Sequence, residues 1–593
     1  SAADAHIVDS DVAAGSGGGV TVEAENTSTL DAKIVNATTS GAVAVGATLA
    51  FNTIGWEPQN TIFNLIDTLL GTSIGTEQPS DVSATISNSD IDADGNIVVQ
   101  ASSTANLTAE INNKADASAS ALVGATGASF GAVVSMNKVS SAAEAYTFGG
   151  SLKANGTLTV SALDSPVIAA TVSLASTAQP SNISPFSNGN AAGAAGVVAL
   201  NDVRGGAEAH VDGSTADING NSLIQALEDA TLNATVTSEA KTSGGNTFGG
   251  SISIAASGLI ATNTVLSSAI AYIANSTHFK TTNSGTVTVN AHNTSIVNAE
   301  VVNAITSGAS AIGATIAFNT IGWLPQNILF NTIDALLGTS IGTEQPSDVK
   351  AYIQNSTVNA AGAVAITAQS TADLTANVSN KSAAGSSGLT GQTGSSFGAI
   401  LAMNRVSSAA KAYISGESAS AGSTLTVSAK DKPGIDAVVE VISTSTIDST
   451  SPFSDGSATG FAGAIVMNDV RGGAVAYIDG ATVNASGNVG VEALEDATLN
   501  AELTTEAEAS GAAEFGNGTE LAANGLIATN LVLSAASAYI NASTCTCGAV
   551  SVNAQNTANL GATLENATSS GETGIGATLA FNTIGWEPQN LLF

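Results

Sequence analysis

The sequence predicts an all-β protein, a parallel β-solenoid or β-helix, on three observations. Long blocks recur at a fixed period, apolar residues alternate with period two inside each block, and the composition lacks the bulk that a wide core needs. Only 4% of the 593 residues are aromatic and 10% are charged. Hydrophobic residues still reach 44%, which argues for an ordered chain with a thin core of Ala, Val and Ile rather than for disorder.

The repeats come first. Phe51-Asn52-Thr53-Ile54-Gly55-Trp56 returns at 318–323 and at 581–586, about 265 residues apart each time. Inside that period lie shorter units, at 1–80, 81–141, 142–206, 207–268, 269–347, 348–408, 409–473, 474–535 and 536–593. Nine units therefore form one continuous rod, arranged as a four-unit super-repeat whose last member is truncated.

Within a unit the alternation marks strands with one buried face. In the second unit Ile97, Val99 and Ala101 alternate with polar residues, followed by Ala105, Leu107, Ala109 and Ile111. In the eighth, Val489, Val491 and Ala493 keep one parity with Ala497, Leu499, Ala501 and Leu503 across an expected corner. Asp94-Gly95-Asn96 and Ser486-Gly487-Asn488 supply turn chemistry. A unit of short strands cannot bury its inner face alone, so stacked coils are expected, two or three per unit, right-handed, rising about 4.8 Å per coil. A string of separate β-sandwiches is the rival architecture.

Each unit closes with an asparagine: Asn52, Asn137, Asn201, Asn263, Asn319, Asn404, Asn468, Asn530 and Asn582. In stacked coils such residues can form an amide ladder at a corner; the competing reading is a residue that tolerates a left-handed turn. Tyr146, Tyr272, Tyr352, Tyr413, Tyr477 and Tyr539 fall at one outward position of the opening strand, with His6, Thr85 and His210 in the other three units. This predicts an exposed stripe suited to stacking on sugars or on a neighbouring rod, or simply covering a strand surface. Trp56, Trp323 and Trp586 mark insertions, where Ile62, Leu65, Ile66, Leu69 and Leu70 have helical spacing; short helices are expected over 56–73 and 323–340. These helices either cover their own solenoid or serve as docking knobs. Loops at Ser184-Pro185-Phe186 and Ser451-Pro452-Phe453 decorate the shaft at the same long period.

Charge narrows the partners. Fourteen Lys and Arg against 48 Asp and Glu give −34, which repels nucleic acid and anionic membrane. No apolar run is long enough for a transmembrane helix. Cys545 and Cys547 form no disulfide framework and read as two small strand residues pointing the same way, with metal ligation or chain cross-linking as the alternatives. No cofactor is expected. The one candidate ion is Ca²⁺, at Asp90-Ile91-Asp92-Ala93-Asp94-Gly95, whose alternating carboxylates match the first half of a calcium loop but lack its bidentate Glu. Asp202-Val203-Arg204-Gly205-Gly206, repeated at 469–473, reads as a turn with a local Asp–Arg pair. Four scattered histidines suggest no zinc site, and features repeated two or three times argue against the singular site an enzyme needs. An ice-binding role lacks a Thr array recurring at one place in every unit.

The order Ala-Tyr-Ile, small-residue turn, Val-x-Val-x-Ala and Asn-x-Val resembles the β-strand repeats of giant bacterial surface proteins, the filamentous-haemagglutinin-like and leukotoxin-type filamentous adhesins. That resemblance covers essentially the whole chain. It implies an extracellular or cell-surface location in a bacterium, a long filament, and attachment to cells or matrix. Asn590-Leu591-Leu592-Phe593 stops inside a motif that continues elsewhere, which reads as an excerpt of a longer chain. The expected function is a structural component of a filament, sheath or surface layer in which identical rods self-associate. The alternative is an adhesin shaft recognising a glycan or protein on another cell.

Overall fold

A computed structural model describes residues 2–57, 76–121, 125–182, 189–243, 252–324, 342–388, 392–449, 455–511 and 518–586. The chain is an all-β parallel solenoid, with no helix among the described residues. The predicted helices, beyond Trp56–Glu57 and Trp323–Leu324, and both Ser-Pro-Phe loops lie outside the described residues.

Three sheets run the length of the rod. A front sheet has twelve strands, and a narrow and a broad sheet have nine each. In one coil the chain passes along the front sheet (Val82–Ser87), the narrow sheet (Asp90–Ala93) and the broad sheet (Ile97–Ala117), then returns to the front in Thr126–Phe148. That last strand closes one coil and opens the next, pairing with Val43–Ile54 through its first part and with Val82–Ser87 through its second. The step from coil to coil is thus made inside a continuous strand.

Each unit makes one coil, not two or three. Val82 pairs with Ala143, Ala143 with Ala207 and Ala207 with Ala269, one partner per unit. There is no corner after Ala493: Val489–Ser510 is one continuous strand, and Glu495, at the place of the expected corner, faces inward and is buried. Broad-sheet strands of 21 to 25 residues consume the length that further coils would have needed.

The small side chains explain the flat cross-section. Front and broad sheets face each other across layers such as Ala143, Ala145 and Val99, then Val139 and Leu107, then Val133 and Val172, all at most 1% exposed. Inward polar columns separate these layers, and the candidate functional features lie there and on the outer face of the front sheet.

Candidate functional site

The closing asparagines stand within front-sheet strands, not at a corner; Asn52, Asn319 and Asn582 lie two residues from a strand end, and none of the nine has a positive φ. Their side chains point inward, and all but Asn582 are buried. Each amide donates to the carboxamide oxygen of the next: Asn52 to Asn137 at 3.0 Å, Asn137 to Asn201 at 3.0 Å, Asn201 to Asn263 at 2.9 Å and Asn263 to Asn319 at 2.9 Å. The run continues through Asn404, Asn468 and Asn530 to Asn582, at 2.8 to 3.1 Å. The second amide hydrogen crosses the interior to broad-sheet carbonyls, for example Asn137 to Ala169 O at 3.1 Å and Asn319 to Thr375 O at 2.9 Å. The column is a strut between sheets with both donors satisfied.

The tyrosines face outward and stack. Tyr146, His210, Tyr272, Tyr352, Tyr413, Tyr477 and Tyr539 form one pile with centroids 4.5 to 4.9 Å apart and planes within 4°. Parallel register forces this, because successive side chains start one coil apart with the same direction. The ring faces are therefore taken by neighbouring rings, and the pile offers ring edges and hydroxyls to a partner. Burial, then the neighbouring Tyr477, pushes the Tyr413 hydroxyl up to about 12. Burial pulls the His210 imidazole down to about 4, so it sits neutral in the stack.

Trp56 and Trp323 are buried and so offer no contact surface, while Trp586 is 78% exposed. Lys138 Nζ lies 3.3 Å from the Trp56 ring centroid, and the Arg405 guanidinium carbon 3.4 Å from that of Trp323. Arg204 bridges Asp202 at 3.1 Å and Glu77 at 3.2 Å, and Glu77 also accepts from Ser140 Oγ at 2.7 Å. Arg405 and Asp469 pair at 2.8 Å, and Ser407 Oγ donates to Glu344 at 2.7 Å. These clusters pin the antiparallel stems Trp56–Glu57/Thr76–Glu77 and Trp323–Leu324/Thr343–Glu344. The Asp–Arg pair forms as read, but its segment is strand, not turn.

Asp90, Asp92 and Asp94 do not converge. Asp90 and Asp92 lie on a short strand with Asp94 just beyond it, and each meets its own partner in the next coil: Ser151 Oγ at 2.6 Å, Lys153 Nζ at 2.8 Å and Asn155 Nδ2 at 3.1 Å. Among the described residues no three His, Cys, Asp or Glu side chains group as metal ligands. Cys545 and Cys547 pack against the core with sulfurs 3.0 Å apart, and burial, then the contact with Cys547, pushes the Cys545 thiol up to about 11.

The sequence reading missed two buried acid pairs. Asp164 and Glu228 are register partners in adjacent broad-sheet strands, as are Asp431 and Glu495 one super-repeat later, and all four are at most 2% exposed. Gly206 N donates to Asp164 Oδ2 at 3.2 Å and Ser141 Oγ to Oδ1 at 3.2 Å; Gly473 and Ser408 repeat this around Asp431. Gly205, at φ 156°, admits the arrangement because a Cβ there would overlap the Ser141 carbonyl oxygen. Burial pushes Asp164 and Glu495 up to about 7, and burial, then the partner's charge, raises Glu228 and Asp431 well above the usual carboxylate range. Near neutral pH each pair holds at least one proton. The signal was present: Asp164 shares parity with inward Val160 and Ala162.

No family model, no curated protein and no solved structure matches the chain.

Proposed function

We propose that the chain is the shaft of a giant extracellular bacterial filament, sheath or surface layer, of the filamentous-haemagglutinin-like kind, whose rods associate laterally without catalysis. One observation carries this reading: the asparagine and aromatic columns repeat in register coil after coil, as in a lattice element, instead of converging on one reactive centre. Ca²⁺ held diffusely by the acidic surface belongs to the same reading, as a counter-ion that lowers the repulsion between like-charged rods.

A second reading, an adhesin that binds a glycan or protein on another cell, has its own support. An open groove of about 830 Å³, lined by Gln179, Pro180, Lys241, Thr306, Thr444 and Thr446, crosses five successive coils. Electron microscopy of the purified chain, with and without a chelator, separates the readings. Bundled or laterally ordered rods are expected, and their loss on chelation would add Ca²⁺ as the counter-ion that association requires. Rods that stay isolated at every concentration would overturn lateral assembly and leave the adhesin.

A further inference from the structure

We propose that the contact between rods is the outward apolar face of the front sheet, one copy of this chain packed against a second. This rests on the lateral association proposed above and names its surface. On a solvated sheet face the outward positions should be polar. In Thr126–Phe148 they are instead Ala128, Phe130, Ala132, Val134 and Met136, and in the next coil Ala192, Ala194, Gly196, Val198 and Leu200. Followed through every coil, none of these five columns contains Asp, Glu, Lys or Arg, in a chain carrying 62 such residues (48 acidic, 14 basic).

Part of this face is open, on the Phe130 side, whereas on the other side Val134, Met136, Leu401 and Met403 are at most 7% exposed. Val45, Phe130, Ile312, Phe397 and Ile575, all in one column, are 61%, 43%, 44%, 38% and 55% exposed. The column beside it is Ala or Gly in every coil, and the next is Leu, Val or Ile. A furrow thus runs along the rod between two apolar ridges. At Gly196, Gly258 and Gly525 the space above the furrow is empty where a Cβ would stand.

Three arguments select a second copy as the occupant. The ridges and furrow repeat at the coil spacing, so the partner that can use their whole length has the same spacing, and a ridge of one copy fits the furrow of the other in a two-fold contact. Like-charged rods repel each other through every other face, which leaves the uncharged one for close approach. Nine coils at about 4.8 Å and the four columns from Ala128 to Val134, about 7 Å apart, offer about 900 Å² per copy, against the roughly 800 Å² per partner of a stable interface. An anionic membrane is disfavoured by the net charge of −34.

The test is Gly196→Glu with Gly258→Glu in the full chain. Both residues have strand backbone and room for a side chain, so circular dichroism and melting should match the unaltered protein. Sedimentation should show at least a tenfold weaker association. The unaltered chain should associate more strongly as salt rises, because screening removes repulsion while an apolar contact remains. Phe130→Ser with Phe397→Ser, which blunts the ridge, carries the same expectation should the glutamates disturb folding. Undiminished association of both folded variants overturns this face. So does dissociation by Tyr352→Ser with Tyr413→Ser instead, which would move the contact to the aromatic stack and leave lateral association standing. An unaltered chain that sediments as a single rod at every concentration and salt overturns the association itself.

Discussion

The asparagine column and the aromatic column occupy the same front-sheet strands, as Asn137 and Tyr146 do in Thr126–Phe148, yet they obey different rules. The inward column is asparagine in all nine coils, whereas the outward one admits Thr85, His6 and His210. Hydrogen bonding, rather than burial alone, explains the difference, since Thr85 and His210 are themselves only 6% and 9% exposed. An inward amide without its neighbour leaves a donor or acceptor stranded away from water, which costs about 1–3 kcal/mol per group. A missing outward ring forfeits stacking, about 0.5–1.5 kcal/mol, and exposes its neighbours to solvent. Stacking in register therefore makes a polar column obligatory inside and an aromatic one optional outside.

The sharpest way to break this contrast is Asn319→Ala. It removes the bonds to Asn404 and Thr375 and leaves the Asn263 amide without its acceptor. A loss of about 3 kcal/mol is expected, read from urea unfolding, with hydrogen exchange accelerated in the coils on either side. A loss under about 1 kcal/mol would sink the strut.

Next come the buried acid pairs, which extend the inward rule to a charge. Their folded pKa values lie above the ordinary carboxylate range, so the stability they permit is complete below pH about 4 and is lost as pH rises through about 7. The melting temperature should fall between pH 5 and pH 9. Asp164→Asn with Asp431→Asn should flatten that fall, a difference on the order of 2 kcal/mol at the alkaline end. An equally steep fall in the variant would remove these pairs from the account.

His210 titrates with the opposite sign. Its folded pKa is depressed to about 4, so its contribution is present above the ordinary histidine value of about 6.5 and lost as pH falls through about 4. His210→Tyr should protect the rod against acid by about 1 kcal/mol, measured as the shift of the acid-unfolding midpoint. The smallest expected effect is a gain. Thr85 is the register partner of Tyr146, so Thr85→Tyr should extend the pile by one ring and add about 0.5 kcal/mol. A destabilised variant would show that stacking does not set the behaviour of this column.

Much of the architecture was legible because a solenoid turns repeats in sequence into neighbours in space. Residues at one place in each unit had to become a column, and parity had to say whether it faced in or out. The acid pairs were legible by the same rule, since Asp164 and Glu495 sit on inward parity; parity alone, however, does not say that a carboxylate will be buried at such a cost. The apolar outer face left a trace too, in Gly196-Val197-Val198-Ala199-Leu200, where alternation gives way to a continuous apolar run.

By itself, then, the sequence determined the parallel all-β solenoid, its repeat, and the inward or outward sense of each column, because period two and unit length are local properties of the chain. Only the tertiary structure decided that each unit makes one coil, that the tyrosine faces are spent on one another, and that two tryptophans are buried beneath cations. Those outcomes depend on how far a strand runs before it turns and on what stands one coil away. Alternation says which way a side chain points, but not what it meets there.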